Sequence, residues 1–446
     1  MTIQHQIDLR VGLVGHASIM IESTKSKILC DPWFFGTAFN DGWMPRPEPD
    51  MSKINLSGLT HIWLSHEHPD HFHIPTLKKI AVLIDPKSVE ILFQETNSDK
   101  IFDALAKMGF SKFRKMLHLE PTIVDSHLSL FIYAHRHLDS ALGVLIDGKP
   151  VMLNINDTEL TASDINIIRK KFGPFDVVFN QFSIAGFEGH YDAVDLERQR
   201  QCVLEKLVEH HGLLGASVTV PFASFMYFCK PDNERLNAFV NSVMDAKSYL
   251  ESHGCGCAVL KINSDMIVIK DLATQNDIEF FKTYYQSNPL AIQSTSGVPL
   301  EACQKAFGER TALWKSKTLR AVYTRLAHVT VWIEDLAVSA RMNFGSCELA
   351  PINLKPGDCD MMINSQPLHQ AFAMPFGIQT LGVSGRYRFN RKVASWKLVR
   401  IISSLSNAGI HFGVQSLLSP ATVKWVWARR KGLSGQIAQQ VSRFSK

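Results

Sequence analysis

Leu64-Ser-His-Glu-His-Pro-Asp-His-Phe-His73 follows directly on the apolar run His61-Ile-Trp-Leu64. The run reads as a buried strand, and the stretch after it as a loop that gathers His66, His68, Asp70 and His71 within a few residues. Such a density of nitrogen and carboxylate donors is costly to bury unless a cation compensates it. In extended chain alternate side chains leave on the same side, so His66 and His68 converge on one ion, and the turn that follows aims Asp70 and His71 at a neighbouring position. Two adjacent divalent metals are therefore expected. Imidazole suits zinc, iron, copper or nickel, and a carboxylate adds affinity for harder ions such as iron or manganese, so the loop implies a metal without naming it. The alternative is a surface loop that is merely rich in histidine, and the run of donors directly after a strand weighs against it.

A chain of 446 residues with 46% hydrophobic content can bury a large core and suggests two or three domain-sized units. The start, Met1-Thr-Ile-Gln-His-Gln-Ile-Asp-Leu-Arg10, has no apolar segment behind a basic cluster. Nowhere do about 18 uncharged apolar residues run together, so neither secretion nor a membrane span is expected. The eight cysteines are scattered, which fits a reducing cytoplasm; Cys255-Gly-Cys257 is the one close pair and reads as thiols of a strand or turn. A formal net charge of +5 is small for this size and predicts no nucleic-acid partner.

Val11 to Glu22 and Lys27 to Trp33 read as two strands joined by the polar turn Ser23-Thr-Lys-Ser-Lys27, the second stopped by Pro32. His16, within the first, is expected to be a buried, hydrogen-bonded structural residue, with a place at the rim of the site as the lesser alternative. Phe34 to Asp50 is too rich in aromatic residues, Gly and Pro for regular structure, and so many rings must cover something. It is expected to wall a pocket, with Trp43 and Arg46 touching substrate. Helices are expected at Ile74–Ile80, Ser98–Met108, Asp192–His211, Asp277–Gln286, Leu300–Lys317 and Val393–Asn407, and strands at Leu128–Ala134, Ala141–Ile146, Val151–Asp157, Phe175–Phe182 and Ser217–Phe228. Further ligands lie at strand ends: His135 or its neighbour His137, and Asp157, which is positioned to bridge two ions. Asp70 and Asp157 are the candidate catalytic carboxylates. The Gly-punctuated loop Ser183–Tyr191 is expected to close the pocket and supplies His190 as a substrate contact. Arg46, Lys78, Arg136 and Arg386 are the cations that an anionic substrate would meet. The basic tail at Arg429, Arg430, Lys431, Arg443 and Lys446 reads as solvated.

A strand-rich chain with His-x-His-x-Asp-His, then a His and an Asp at later strand ends, resembles the metallo-β-lactamase superfamily. The resemblance covers roughly residues 10–269. It implies an α/β (α+β) fold, an αββα sandwich with metals at its edge, followed by a mostly helical C-terminal extension. The expected division is 1–270 for the catalytic domain and 271–446 for an α+β extension packing near the pocket. Within the superfamily, four blocks resemble the catalytic domain of CMP-N-acetylneuraminate hydroxylases. They are Asp31-Pro-Trp-Phe-Phe-Gly-Thr-Ala-Phe-Asn-Asp-Gly-Trp43, His66-Glu-His-Pro-Asp-His-Phe-His-Ile-Pro-Thr-Leu-Lys-Lys79, His135-Arg-His-Leu-Asp-Ser140 and Val220-Pro-Phe-Ala-Ser-Phe225. The resemblance favours His135 over His137, because His135 stands four residues before Asp139. It implies His66, His68, Asp70, His71, His135 and Asp157 as the ligand set. Many two-zinc hydrolases of the superfamily have a last metal-binding His after a strand ending in Pro-x-His. Here Ala223 stands at that place, so the second ion is expected to be coordinatively open.

Two functions follow. The first is an iron-dependent oxygenase, a hydroxylase of a small anionic or sugar-nucleotide-like substrate, with dioxygen entering at open coordination positions. Such hydroxylases carry a Rieske module ahead of this domain, and the sequence has no paired Cys-x-His…Cys-x-x-His spacing, so electrons are expected from a separate electron-transfer protein. The second is a dinuclear zinc hydrolase of an ester, phosphoester, amide or lactone, in which Asp70 or Asp157 orients the attacking water.

Overall fold

The computed structural model describes residues 9–407 apart from 97, 136–138, 185, 187–191 and 392. Arg136, His137, His190 and the basic tail therefore lie outside the described residues.

The chain opens with β1 (Arg10–Gly15), β2 (Ser18–Glu22) and β3 (Lys27–Cys30), then β4 (Trp43–Pro45) and β5 (His61–Leu64). Next come α1 (Ile74–Leu83), β6 (Glu90–Gln94), α2 (Lys100–Ala106) and β7 (Lys112–Met116). Strands β8 (Thr122–Ile123), β9 (Leu128–Ala134), β10 (Ser140–Ile146) and β11 (Lys149–Asn156) follow, then α3 (Ala162–Phe172) and β12 (Val177–Gln181). The half ends with α4 (Ala193–Leu214), β13 (Val218–Phe222), β14 (Met226–Phe228), α5 (Val243–Ser252), β15 (Ile267–Val268) and α6 (Ile278–Ser287). One sheet has the order β15-β1-β2-β3-β5-β6-β7, the other β13-β12-β11-β10-β9-β8, and β14 pairs with β4 outside both.

Strand periodicity sets the layers, because alternate residues of a strand face opposite sides. Ile28 and Cys30 of β3 and Trp63 of β5 share one core with Leu128, Leu130 and Ile132 of β9 and Phe179 of β12, so this core lies between the sheets. The alternate residues Leu29, Ile62 and Leu64 pack instead with Leu77 and Ile80 of α1 and Leu105 of α2. On the other side, Phe131, Leu153 and Val178 pack with Ile165 and Ile168 of α3. The result is the αββα order. Strands buried on both faces read as continuous apolar runs, and this is why the sequence showed them.

Two local departures matter for the site. Val11–Glu22 is a hairpin rather than one strand: Gly15 pairs with Ser18, and the chain reverses at His16-Ala17. The loop from Phe34 to Gly42 contains three successive non-glycine residues with left-handed backbone, Phe39, Asn40 and Asp41, at φ 48°, 55° and 58°. Such conformations are costly and persist only when surrounding structure fixes them.

The fixing structure is C-terminal. Helices α7 (Leu300–Lys317) and α8 (Arg320–Tyr323) precede β16 (His328–Ile333), β17 (Val338–Asn343), β18 (Glu348–Ile352) and β19 (Met361–Ile363). Then come α9 (Ser365–Ala373), α10 (Gly377–Ser384), β20 (Tyr387–Phe389) and α11 (Ala394–Asn407). The expected helices are present, and between them lies a five-stranded sheet, β18-β17-β16-β19-β20, with its own apolar core from Cys303 onward. Phe281 of α6 belongs to the first core. Arg386, 0% exposed, pairs with Asp232 at 3.0 Å and donates through Nη1 to Asn40 O at 2.7 Å. Gln370 Nε2 donates to Asp41 Oδ2 at 2.6 Å, and Asn233 Nδ2 donates to both Gly42 O and Ser384 O. The strained loop is thus clamped between the two halves, and Arg386, expected to be a substrate cation, is engaged entirely inside that clamp.

Candidate metal centre

Parallel pairing puts the carboxyl ends of β3 and β5 side by side, since Cys30 is in register with Trp63. The chain beyond each strand therefore meets at one edge. Asp31, fully buried, accepts from Ser65 N through Oδ1 at 2.8 Å, and Gln94 Nε2 and Ser140 Oγ both donate to Ser65 O. These bonds hold the start of the histidine loop. Its turn is closed by the N–H groups of His71 and Phe72, which both donate to His68 O. His73 ends the loop as the cap of α1: its Nδ1 accepts from Thr76 N, and burial brings its pKa down to about 4.

Two groups of donor atoms form at this edge, each with all atoms within 4.8 Å of one another: His66, His68 and Asp157, and beside them His16, Asp70 and His71. Asp157 follows β11 and links them, with Oδ2 3.7 Å from His66 Nε2 and 3.3 Å from His71 Nε2. Asp70 Oδ2 is 3.3 Å from His71 Nε2 and 3.3 Å from His16 Nε2. His71 is oriented from behind: its Nδ1 lies 3.0 Å from Asp31 Oδ2, which also accepts from Asn156 Nδ2 at 2.8 Å.

Electrostatics follow the crowding. Burial disfavours a charged His71, but Asp157, Asp70 and Asp31 outweigh it and raise its pKa well above the usual value. Burial likewise opposes ionisation of Asp157, and His71 with His66 outweighs it, so its carboxyl stays well below the ordinary range. Burial, reinforced by Asp157 and Glu159, pushes Asp139 well above it, with Asp139 Oδ1 3.9 Å from His66 Nε2. His66 is held well below the usual histidine value, first by burial.

The donors fit divalent cations. Asp70 Oδ1 and Asp157 Oδ1 are buried and have no hydrogen-bond partner among the described residues, and His71 Nε2 is buried between Asp70 Oδ2 and Asp157 Oδ2 at 3.3 Å from each. A cation supplies what such atoms lack, and mixed imidazole and carboxylate donors suit iron or zinc.

Of the expected ligands, His66, His68, Asp70, His71 and Asp157 come together. His135 closes β9 with Nε2 3.8 Å from Asp164 Oδ2, a residue of the α3 cap, and lies outside both three-residue groups. The expected substrate contacts differ. Trp43 is 1% exposed and lies under Phe39, at 4.4 Å between ring centroids, so it is Phe39 whose ring meets His68, at 5.7 Å. Arg46 donates to Asn288 O at 2.8 Å and sits 4.8 Å over the Tyr285 ring, where it ties α6 to the pocket wall. Sequence reasoning missed Asp31 and Asn156 and gave His16 a place at the site only as the lesser alternative. The signal for Asp31 was present, an Asp-Pro directly after an apolar strand; for His16 it was the Gly-His-Ala that splits the first β-rich run.

Residues 10–120 match the family model described as "Beta-lactamase superfamily domain". A Mycobacterium tuberculosis protein named as a Rieske 2Fe-2S iron-sulfur protein is 29% identical over 255 residues, 51% of this chain and 46% of that protein. The cytidine monophosphate-N-acetylneuraminic acid hydroxylase of Sus scrofa is 39% identical over 67 residues, 15% of each chain. The matches span about half, or less, of the length of these curated relatives. Among solved structures, CmlA, a diiron beta-hydroxylase from Streptomyces venezuelae, aligns at TM-score 0.39 and 14% identity over 58% of this chain and 54% of that one. β1 to β7 and the histidine loop lie inside the residues that match the beta-lactamase superfamily domain.

Proposed function

We propose that this chain is a dinuclear iron-dependent oxygenase that hydroxylates a small anionic or sugar-nucleotide-like substrate, with electrons from a separate electron-transfer protein. The observation that carries the dinuclear reading is Asp157, whose Oδ2 lies within 4 Å of a histidine of each donor group. In this reading His66, His68, Asp157 and His135 serve one cation, and Asp70, His71 and the shared Asp157 the other. The relatives named as Rieske proteins and as hydroxylases support the oxygenase over other chemistry, and they support a reductive partner. The catalytic unit takes in α6 as well as the expected residues 1–270, since Leu272 and Phe281 pack in the sandwich core, and the remainder of 271–446 acts as an extension that walls its pocket.

Two iron ions so held supply one-electron redox chemistry and Lewis acidity, whereas zinc supplies Lewis acidity alone. The chain's own groups do the rest. Asp31 fixes the His71 ring so that Nε2 faces Asp70 and Asp157. Phe39, on its clamped loop, shields the His68 side from water. Asp139 is placed to hold a proton beside His66. All eight cysteines are free, in keeping with a reducing cytoplasm, and no helix among the described residues is long and apolar enough to cross a membrane.

A dinuclear zinc hydrolase is the second reading, favoured by a donor set as rich in imidazole as this one. Metal analysis of protein purified without added metal, combined with oxygen consumption in the presence of a reductant and candidate substrates, separates the two. Iron with substrate-dependent oxygen uptake is the expected result. Zinc with no uptake under any reductant overturns the oxygenase. Full metal content and activity in His68→Ala overturns the site itself.

A further inference from the structure

We propose that His16, from the turn between β1 and β2, is a side-chain ligand of the second cation, taking from the opposite side of the sandwich edge the place next to Ala223. The inference rests on the dinuclear reading above and goes beyond it by assigning a ligand from outside the histidine loop.

Three observations carry it. His16 Nε2, Asp70 Oδ2 and His71 Nε2 form a buried donor group of their own. The ring is aimed by packing, edge-on against Trp33 with centroids 5.2 Å apart, and by its own tight turn. Finally, Ala223, the residue after β13, is 0% exposed and donates its N–H to His16 O at 3.1 Å. The end of β13 and the β1–β2 turn thus abut at the site, and the turn contributes the imidazole while the strand end contributes only a methyl group. A larger side chain at 223 would have to enter the space beside the His16 backbone, at a residue whose φ of 50° is left-handed. The second cation then has His16, Asp70 and His71 in addition to the shared Asp157. It would be less open than Ala223 alone suggests.

The test is metal stoichiometry by native mass spectrometry with cobalt(II) or iron(II), read beside the visible absorption of the cobalt form. Wild type should hold two equivalents. His16→Phe keeps an aromatic ring against Trp33 but removes the nitrogen, and should hold one equivalent, with affinity at the second position down by about 100-fold or more, at or beyond the range for residues that only support a ligand. His16→Ala should behave alike and recover the second equivalent and the cobalt spectrum when free imidazole is added. A packing role for His16 gives no such rescue. Two equivalents in His16→Phe at unchanged affinity, or a second equivalent lost in His16→Ala that imidazole does not restore, overturns the assignment. Wild type that binds no cation overturns the dinuclear reading instead, so the two failures are distinguishable.

Discussion

Replacing Asp31 by Asn changes one atom of a fully buried side chain and reads out how the centre is oriented. Asp31 Oδ1 accepts from Ser65 N at 2.8 Å, while Oδ2 accepts from Asn156 Nδ2 at 2.8 Å and faces His71 Nδ1 at 3.0 Å. A carboxylate there keeps a proton on Nδ1 and leaves Nε2 free to face Asp70 and Asp157. An amide cannot serve all three partners. With its NH2 toward His71 it meets Asn156 donor against donor and pushes the ring to the opposite tautomer; flipped, it sets that NH2 against Ser65 N–H. A hydrogen bond to a charged group contributes about 1.5–3 kcal/mol, which corresponds to roughly 10–100-fold in affinity, the range measured when the partner behind a metal-bound histidine is removed. The loss should fall on the cation held by His71 and spare the one held by His66 and His68. Competition against a chromophoric chelator resolves the two affinities. Equal losses at both, or none at either with a cooperative melt retained, would refute the claim that Asp31 sets the His71 ring.

Three more outcomes follow from the geometry. Gln370→Leu removes the shorter of two hydrogen bonds to Asp41 Oδ2, the other coming from Gln366 Nε2, and with it a charge-assisted bond of about 1.5–3 kcal/mol. The left-handed segment and Phe39 should loosen, raising KM several-fold with a smaller change in kcat; steady-state kinetics that leave KM unchanged speak against the clamp. Acid should destabilise the fold in a defined window. His73 and His210 are each brought down to about 4, first by burial, while an unfolded histidine titrates near 6.5. The unfolded chain therefore binds more protons between these values, so stability is full above about pH 6.5 and falls as pH drops toward 4, by up to about 3 kcal/mol per residue. Urea unfolding at pH 7 and pH 5 measures it, and His210→Gln should flatten the slope; an unchanged slope counts against His210. Finally, cation loading should expel the protons that raised pKa values keep on His71 and Asp139, seen as base uptake in a pH-stat titration. No proton release places the cations elsewhere.

How much was legible in the sequence differs by element for physical reasons. The sandwich was readable because its strands are buried on both faces and stand as apolar runs between turn residues, as in β9 and β12. Helices α7 and α11 were readable to within a residue, having clear Pro, Lys or Asn punctuation at their ends. The extension was expected to be α+β but its strands were not placed; β19 and β20, three residues each, are too short to show alternation. In the site, the donors close together in sequence declared themselves. His16 did not, since a lone histidine in a β-rich run looks the same whether it packs or ligates. Asp31 did not, because Pro32 explained its neighbourhood as a strand end. Trp43 and Phe39 are equally aromatic and both are buried, and only the folded loop, with its left-handed backbone at Phe39, shows that it is the Phe39 ring that lies against His68.

The charge of the centre shows why these scattered residues form one unit. Asp31, Asp70, Asp139 and Asp157 approach the same few imidazoles from β3, the histidine loop, the start of β10 and the end of β11. Carboxylates so near one another and so buried repel, and each must be met by a positive charge or a proton. Without cations the cluster does what it can with protons, raising His71 and Asp139 above their ordinary values while Asp157 stays ionised. Two dications carry as much positive charge as the four carboxylates carry negative. One dication leaves half of that charge to protons, and because Asp157 Oδ2 faces both donor groups, the second cation completes the balance across the same atom.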